Sequence, residues 1–256
     1  PYIVAGDPAP ASTVPLLHAL VEGGADVIEL GVPFSDPMAD GPVIQRAGAR
    51  ALAAGASVPR VLETVAALRT EVDVPLVLLT YYNPVLAFGL KAFARTAVDA
   101  GVDGAIVVDM PPEESEPLAS EAAAAGLDLV YMVAPTSPPP RVRLIARKSR
   151  GFIYLVSLTG VTGERQELPA DMAAQVAAIR RATTTPVCVG FGISTPAQVA
   201  AVGRVADGAA VGSAIVRLVE ARTGSSSLVD DVGKFIAELK APLREPLPTP
   251  AVRARR

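Results

Sequence analysis

Short apolar runs alternate with amphipathic stretches along nearly the whole chain. The runs at 27–31, 75–79 and 104–108 are apolar at almost every position, not at every second one. Continuous apolar runs of this length are typical of parallel strands that are covered on both faces. The stretches between them have helical periodicity, and glycine or proline ends most of them. The pattern therefore predicts repeated strand–helix units.

About eight such units can be counted, with helices between and after the strands. Predicted strands cover residues 2–5, 27–31, 75–79, 104–108, 127–133, 152–156, 186–189 and 209–211. Predicted helices cover residues 13–21, 43–54, 58–69, 91–99, 115–125, 141–148, 169–181, 195–202, 214–221 and 227–240. Ser12 or Thr13 is the expected cap of the first helix. The T-Y-Y-N-P segment at 80–84 is expected to be a loop.

This alternation favours a closed (β/α)8 TIM barrel with additional helices over an open doubly wound sheet. No G-x-G-x-x-G motif follows the first predicted strand, which disfavours a dinucleotide-binding fold. We expect one domain over residues 1–256, with a flexible tail from about residue 243. The chain begins with proline, so a short N-terminal segment is expected to be missing.

The segment at 27–42, V-I-E-L-G-V-P-F-S-D-P-M-A-D-G-P, joins a predicted buried strand to an acidic loop. Glu29 is in phase with Val27 inside the apolar run, and the loop contains Asp36 and Asp40. A buried carboxylate is costly unless a partner or a raised pKa offsets the loss of water. Glu29 could pair with a core cation, and the two aspartates could form Asx-turns. Active sites of such barrels lie at the C-terminal ends of the strands, so this segment is the first candidate for catalysis.

Two glycine-containing turns near the end of the chain predict an anion site. G-F-G-I-S at 190–194 follows the seventh predicted strand, and V-G-S-A at 211–214 follows the eighth. Backbone N–H groups at such turns, together with the N-terminus of the next helix, attract anions. Tight turns alone would also use glycine, but these two loops are the usual phosphate site of the fold. The polar loop at 157–167 has the composition of a closing lid or of an ordinary mobile loop.

Composition removes several classes of function. Half of the residues are hydrophobic, which permits a large core. The net charge is −3, so the chain lacks the basic character of a nucleic-acid-binding protein. No apolar window reaches the length of a membrane span. Cys188 is the only cysteine, so an internal disulfide is excluded, and we expect a cytoplasmic protein. His18, the only histidine, lies in a predicted helix, so a Ser–His–Asp triad is not expected. The acidic loop has no clustered metal ligands, so a metal site is not expected either.

Several motifs in register resemble one family. E-L-G-V-P-F-S-D-P-M-A-D-G-P at 29–42 is similar to the signature of the tryptophan synthase α subunit. D-M-P-P-E-E-S at 109–115, Y-L-V-S-L-T-G-V-T-G at 154–163, G-F-G-I-S and V-G-S-A-I-V follow in that family's order and spacing. The resemblance covers nearly the whole chain. It implies a (β/α)8 barrel that cleaves indole-3-glycerol phosphate into indole and glyceraldehyde 3-phosphate, a retro-aldol reaction.

The resemblance also implies roles for individual residues. Glu29 would be the general acid and base, and Asp40 would hold the indole N–H and stabilise its developing positive charge. Tyr154 would line the pocket beside Glu29. The implied walls of the indole pocket are Tyr2, Tyr81, Ile106 and Phe191. The residues implied to bind the phosphate or close over it are Thr162, Gly163, Gly192, Gly212 and Ser213.

Members of this family work with a β subunit in an α2β2 complex, so the resemblance implies that partner. Pyridoxal phosphate is expected in the β subunit, and no cofactor is expected in this chain. The predicted lid departs from better-known members, because Leu158 stands where a basic residue is expected. The segment expected before Pro1 would contain a helix that covers the barrel floor. Both departures concern the lid and the coupling to the partner.

Two other functions remain open on the residues alone. A different phosphate-binding barrel, such as a sugar-phosphate isomerase or epimerase, would share the glycine turns but would not need both Glu29 and Asp40. A non-catalytic subunit that only regulates a partner enzyme would be expected to have lost Glu29.

Overall fold

The strands of the molecule all pair in parallel. The structure, a computed structural model, describes residues 1–156, 171–190 and 192–244. One run of neighbouring strands contains β1 (Tyr2–Val4), β2 (Ile28–Gly31), β3 (Leu76–Thr80), β4 (Gly104–Val107) and β5 (Asp128–Leu129). A second run contains β6 (Met132–Val133), β7 (Ile153–Val156), β8 (Val187–Gly190) and β9 (Gly208–Ala209).

Backbone hydrogen bonds join the two runs into a closed barrel. Between β5 and β6, Val130 N–H donates to the Ala105 carbonyl at 3.0 Å and Tyr154 N–H donates to the Tyr131 carbonyl at 3.1 Å. The two short strands are therefore halves of the single strand predicted at 127–133. At the other junction, Tyr2 N–H donates to the Val211 carbonyl at 2.8 Å, which connects the first strand to the last. The predicted (β/α)8 barrel with additional helices is confirmed.

Helices follow the strands and surround them. They are α1 (Thr13–Gly23), α2 (Pro42–Ala53), α3 (Val58–Leu68), α4 (Tyr82–Phe88), α5 (Leu90–Asp99), α6 (Glu116–Ala125), α7 (Pro139–Lys148), α8 (Met172–Arg180), α9 (Pro196–Gly203), α10 (Ser213–Ala221) and α11 (Leu228–Lys240), with short 3-10 helices at Pro10–Ser12 and Ala241–Leu243. In the part of the chain that the structure describes, no single helix is long and apolar enough to cross a membrane; α2 and α3 meet that test only together, with a 93° bend between them.

The segment after β3 was predicted wrongly. The segment after β3 is not only a loop, because α4 begins at Tyr82 and contains Pro84 in its first turn. Proline is tolerated there since the first-turn N–H groups have no partner within the helix. Ser12 is the N-cap residue of α1, one of the two expected caps, but without the expected side-chain contact. Ser12 makes no capping hydrogen bond, and the Thr13 hydroxyl instead accepts a hydrogen bond from Gly6 N–H at 2.9 Å.

The barrel wall separates two apolar regions, which explains why the strands are apolar at consecutive positions. Leu30 and Leu78 belong to the large core between strands and helices. Val77, Ile106 and Tyr154 belong to a separate cluster inside the barrel. Because neighbouring positions on β3 face opposite sides of the wall, both Val77 and Leu78 are buried. Inward-facing positions near the ends of the strands can therefore present side chains to a common interior site.

Candidate active site

A cavity opens among the C-terminal ends of the strands and the loops that follow them. It brings together seven residues that the sequence singled out, namely Tyr2, Glu29, Asp40, Tyr154, Gly192, Gly212 and Ser213. Two of these side chains are carboxylates on the same structural unit, the strand β2 and the loop to α2. The other members come from β1, β7 and the loops after β8 and β9. This is the end of the barrel at which the active sites of the fold occur.

Glu29 is placed on the rigid part of the barrel. It lies in β2 between register partners Tyr2 on β1 and Val77 on β3, and only 6% of its surface is exposed. Burial raises the pKa of Glu29 to about 7. A carboxyl group with such a pKa exists in both protonated and ionised forms near neutral pH, so it can donate and accept protons.

Asp40 lies on the loop between β2 and α2 and is held from two sides. The Tyr81 hydroxyl accepts a hydrogen bond from Ala39 N–H at 3.1 Å, and the Gln45 side chain donates to the Asp40 carbonyl at 2.8 Å. Burial raises the pKa of the Asp40 carboxyl to about 6, and a hydrogen bond from Tyr81 partly opposes this rise. Asp40 therefore combines a partly buried carboxylate with a fixed backbone.

Asp36, on the same loop, has different surroundings. Its side chain is exposed and accepts a hydrogen bond from the Ser35 hydroxyl, and its carbonyl accepts one from Met38 N–H at 2.9 Å. These contacts are those of a turn residue. Asp36 is not among the described residues that line the cavity.

The part of the cavity formed by the loops after β8 and β9 has the features of an anion site. Gly212 is the N-cap of α10, so the first N–H groups of that helix and its positive dipole end lie beside the cavity. Gly192 has φ of +84°, a conformation that favours glycine and keeps this turn close to the site. Both glycines line the cavity with Ser213. A phosphate group attached to a ligand of Glu29 and Asp40 could be bound at this end.

Comparison with known proteins assigns the chain to a family. The sequence model of the tryptophan synthase alpha chain matches residues 1–244. The chain belongs to this family. A tryptophan synthase alpha chain from Geobacter sulfurreducens is 52% identical over 239 residues, which cover 93% of this chain and 90% of the relative.

Solved structures lead to the same family. Subunit alpha of tryptophan synthase from Legionella pneumophila superposes with a TM-score of 0.87 at 39% identity, covering 95% of this chain and 91% of its own. A chain of the tryptophan synthase complex from Pyrococcus furiosus superposes with a TM-score of 0.87 at 36% identity, covering 94% and 96%. The resemblance identified from the sequence motifs is confirmed.

Not every residue that the family resemblance suggested lies at the cavity. Tyr81 is buried and packs against Phe34, with ring centroids 5.4 Å apart, and Ile106 is fully buried inside the barrel with Val77. Neither is among the described residues that line the cavity. Their predicted role as indole walls therefore has no direct support from their placement. Thr162, Gly163, Phe191 and the predicted lid at 157–167 with Leu158 lie outside the described residues, as does the tail from 245 onward.

The sequence interpretation missed the apolar part of the wall. The additional lining residues are Ala39, Ile44, Leu79, Val108, Met132 and Ile193. A signal for two of them existed, because Leu79 and Val108 follow the inward-facing Val77 and Ile106 at a spacing of two. Both residues are apolar, so their residue type did not mark them as part of a site. Within the described ranges, no group of three or more His, Cys, Asp or Glu side chains is arranged to hold a metal ion.

Proposed function

We propose that this chain cleaves indole-3-glycerol phosphate into indole and glyceraldehyde 3-phosphate, acting as the carbon–carbon lyase subunit of tryptophan synthase. The observation that supports the assignment of the site is the pair of carboxyl groups on one cavity, with pKa values of about 7 for Glu29 and about 6 for Asp40. Family membership supports this reaction and decides against a sugar-phosphate isomerase.

Glu29 moves both protons of the reaction. In its protonated form it donates a proton to C3 of the indole ring, which places a positive charge on the ring system. The resulting carboxylate removes the proton from the hydroxyl group next to the breaking bond. That oxygen becomes the aldehyde oxygen, the bond to C3 breaks, and its electron pair returns to the ring. A pKa near neutrality suits one group to both steps.

Asp40 acts on the nitrogen side of the ring. Its carboxylate accepts a hydrogen bond from the indole N–H and stabilises the positive charge that protonation of C3 creates. Because the hydrogen bond from Tyr81 favours ionisation of Asp40, the group is available as an anion when Glu29 is still partly protonated. The two carboxyl groups thus have separate tasks.

The phosphate of the substrate binds at the N-terminus of α10. Gly212, Ser213 and Gly192 offer backbone N–H groups and a positive dipole end to an anion. The distance between this anion site and the carboxyl groups is bridged by the glycerol chain. Thr162, Gly163 and Phe191 are assigned to lid closure and to the indole wall by family resemblance alone.

The partner of this chain is a β subunit, in an α2β2 assembly. A family relative of known structure is part of the tryptophan synthase complex of Pyrococcus furiosus. Met38, on the loop that contains Asp40, is 76% exposed, and Leu86, on the helix that follows β3, is 51% exposed. Both belong to segments at the same end of the barrel as the cavity, where an apolar surface can bind a partner. Pyridoxal phosphate is assigned to the β subunit, and this chain supplies indole to it.

The direct test is release of indole from indole-3-glycerol phosphate, measured with and without a β subunit. Glu29→Gln should lower the rate about a thousandfold while leaving substrate affinity nearly unchanged. Asp40→Asn should lower the rate about a hundredfold. Asp36→Asn is the matched control on the same loop and should keep its rate within about twofold of the wild type. Near-normal turnover by Glu29→Gln would refute the mechanism, and equal losses in all three variants would refute the assignment of Asp40.

A further inference from the structure

The hydroxyl group of Tyr2 is a polar group of the cavity that the mechanism above does not use. Tyr2 is 6% exposed, and its side chain lines the cavity with Glu29 and Asp40. Within the described residues, the Tyr2 hydroxyl makes no hydrogen bond. Buried tyrosine hydroxyls usually have a partner. A hydroxyl on the wall of a cavity that has no partner in the protein is free to bind water or a ligand that enters the cavity.

The position of this side chain is determined by both neighbouring strands. Tyr2 is the register partner of Glu29 on β2, and its N–H donates to the Val211 carbonyl at 2.8 Å. The side chain passes over Gly31, where an added Cβ would lie 2.3 Å from the Tyr2 hydroxyl oxygen. It also passes Gly212, where an added Cβ would lie 3.3 Å from the ring. Both positions therefore leave room for the tyrosine because they are glycine.

This path places the ring between the two ends of the site. Gly31 follows Glu29 on the same strand, and Gly212 caps the helix assigned to the phosphate. Burial, and after it the negative charges of Asp40 and Glu29, raises the pKa of Tyr2 well above its ordinary value. The hydroxyl group consequently stays protonated at neutral pH and can donate a hydrogen bond.

We propose that the Tyr2 hydroxyl donates a hydrogen bond to a hydroxyl oxygen of the substrate's glycerol chain and holds that chain in position for proton removal by Glu29. The inference rests on the proposed function. A chain that runs from an indole at Asp40 to a phosphate at Gly212 passes Tyr2, which lies between them. Tyr2 is then a substrate-binding residue through its hydroxyl, in addition to the apolar wall that its ring can form.

The test compares the wild type with Tyr2→Phe, which keeps the ring and removes only the hydroxyl. The kcat/KM for indole release should fall about tenfold, mainly through kcat, because the hydrogen bond orients the reacting chain. Tyr131→Phe is the matched control, since Tyr131 is an equally buried tyrosine in the core outside the barrel. Its kcat/KM should stay within about twofold of the wild type.

A binding measurement separates the hydroxyl from the packing of the ring. Indole-3-propyl phosphate contains the ring and the phosphate but no hydroxyl group on its chain. Tyr2→Phe should bind it with the wild-type Kd, whereas it should bind glyceraldehyde 3-phosphate more weakly. Unchanged kcat/KM in Tyr2→Phe, or an equal loss of affinity for the hydroxyl-free ligand, would overturn the inference. A wild-type protein that releases no indole would instead refute the proposed function, and this inference with it.

Discussion

Replacement of Glu29 by glutamine should change how stability depends on pH. The exchange keeps the size of the side chain and removes its ionisation. In the folded protein burial raises the pKa of Glu29 from 4.5 to about 7. Since one pH unit corresponds to about 1.4 kcal/mol, ionisation of this group costs the folded state about 3 kcal/mol.

The stability of the wild-type protein should fall with rising pH, because burial raises the pKa of Glu29. A carboxyl group whose pKa is raised on folding contributes its stabilisation below pH 4.5, and this is lost as the pH rises through about 7. Wild-type protein should therefore lose about 2.5 kcal/mol of stability from this group between about pH 5 and pH 8. Glu29→Gln lacks that loss and should be the more stable protein on the alkaline side.

Urea unfolding of both proteins at the two pH values measures this effect. At each pH, the unfolding free energy of the wild type is subtracted from that of the variant, and the two differences are compared. The effect of the amide itself on stability is the same at both pH values, so it does not contribute to the change between them. Glu63→Gln, an exposed glutamate on α3, is the control for the same exchange. An equal difference at both pH values would refute a raised pKa at Glu29 and, with it, the proton-transfer role.

Two further predictions concern the groups that hold the site. Tyr81→Phe removes the hydrogen bond that lowers the pKa of Asp40. The acidic limb of the pH–rate profile should therefore move to higher pH, and kcat/KM should fall about tenfold. An acidic limb at the wild-type pH would contradict this prediction. Arg50→Ala leaves the buried Asp7 carboxylate without its 2.7 Å partner and should cost about 3 kcal/mol in urea unfolding. Arg46, which is half-exposed and pairs with Glu220 on α10, is the control, and its alanine variant should cost less than about 1 kcal/mol.

The sequence by itself determined the elements of the barrel and the inward direction of Glu29. Continuous apolar strands are a local consequence of burial on both faces, so they can be recognised without knowing the partners of each strand. The phase of Glu29 with Val27 is equally local, because successive side chains of a strand face opposite sides. The glycine turns at 190–194 and 211–214 were found for the same reason. The helix α4 escaped detection because Pro84 in its first turn resembled a loop signal.

Only the tertiary structure decided which side chains meet and what charge they carry. Closure of the barrel depends on the hydrogen bond from Tyr2 to Val211, two residues at opposite ends of the described chain. The raised pKa values of Glu29 and Asp40 depend on the amount of water that distant segments exclude. The hydroxyl of Tyr2 fits in its position because Gly31, on another strand, has no side chain to collide with it. Each of these properties depends on which residues, far apart in sequence, lie close together in space. The periodicity of the sequence contains no information about such distances.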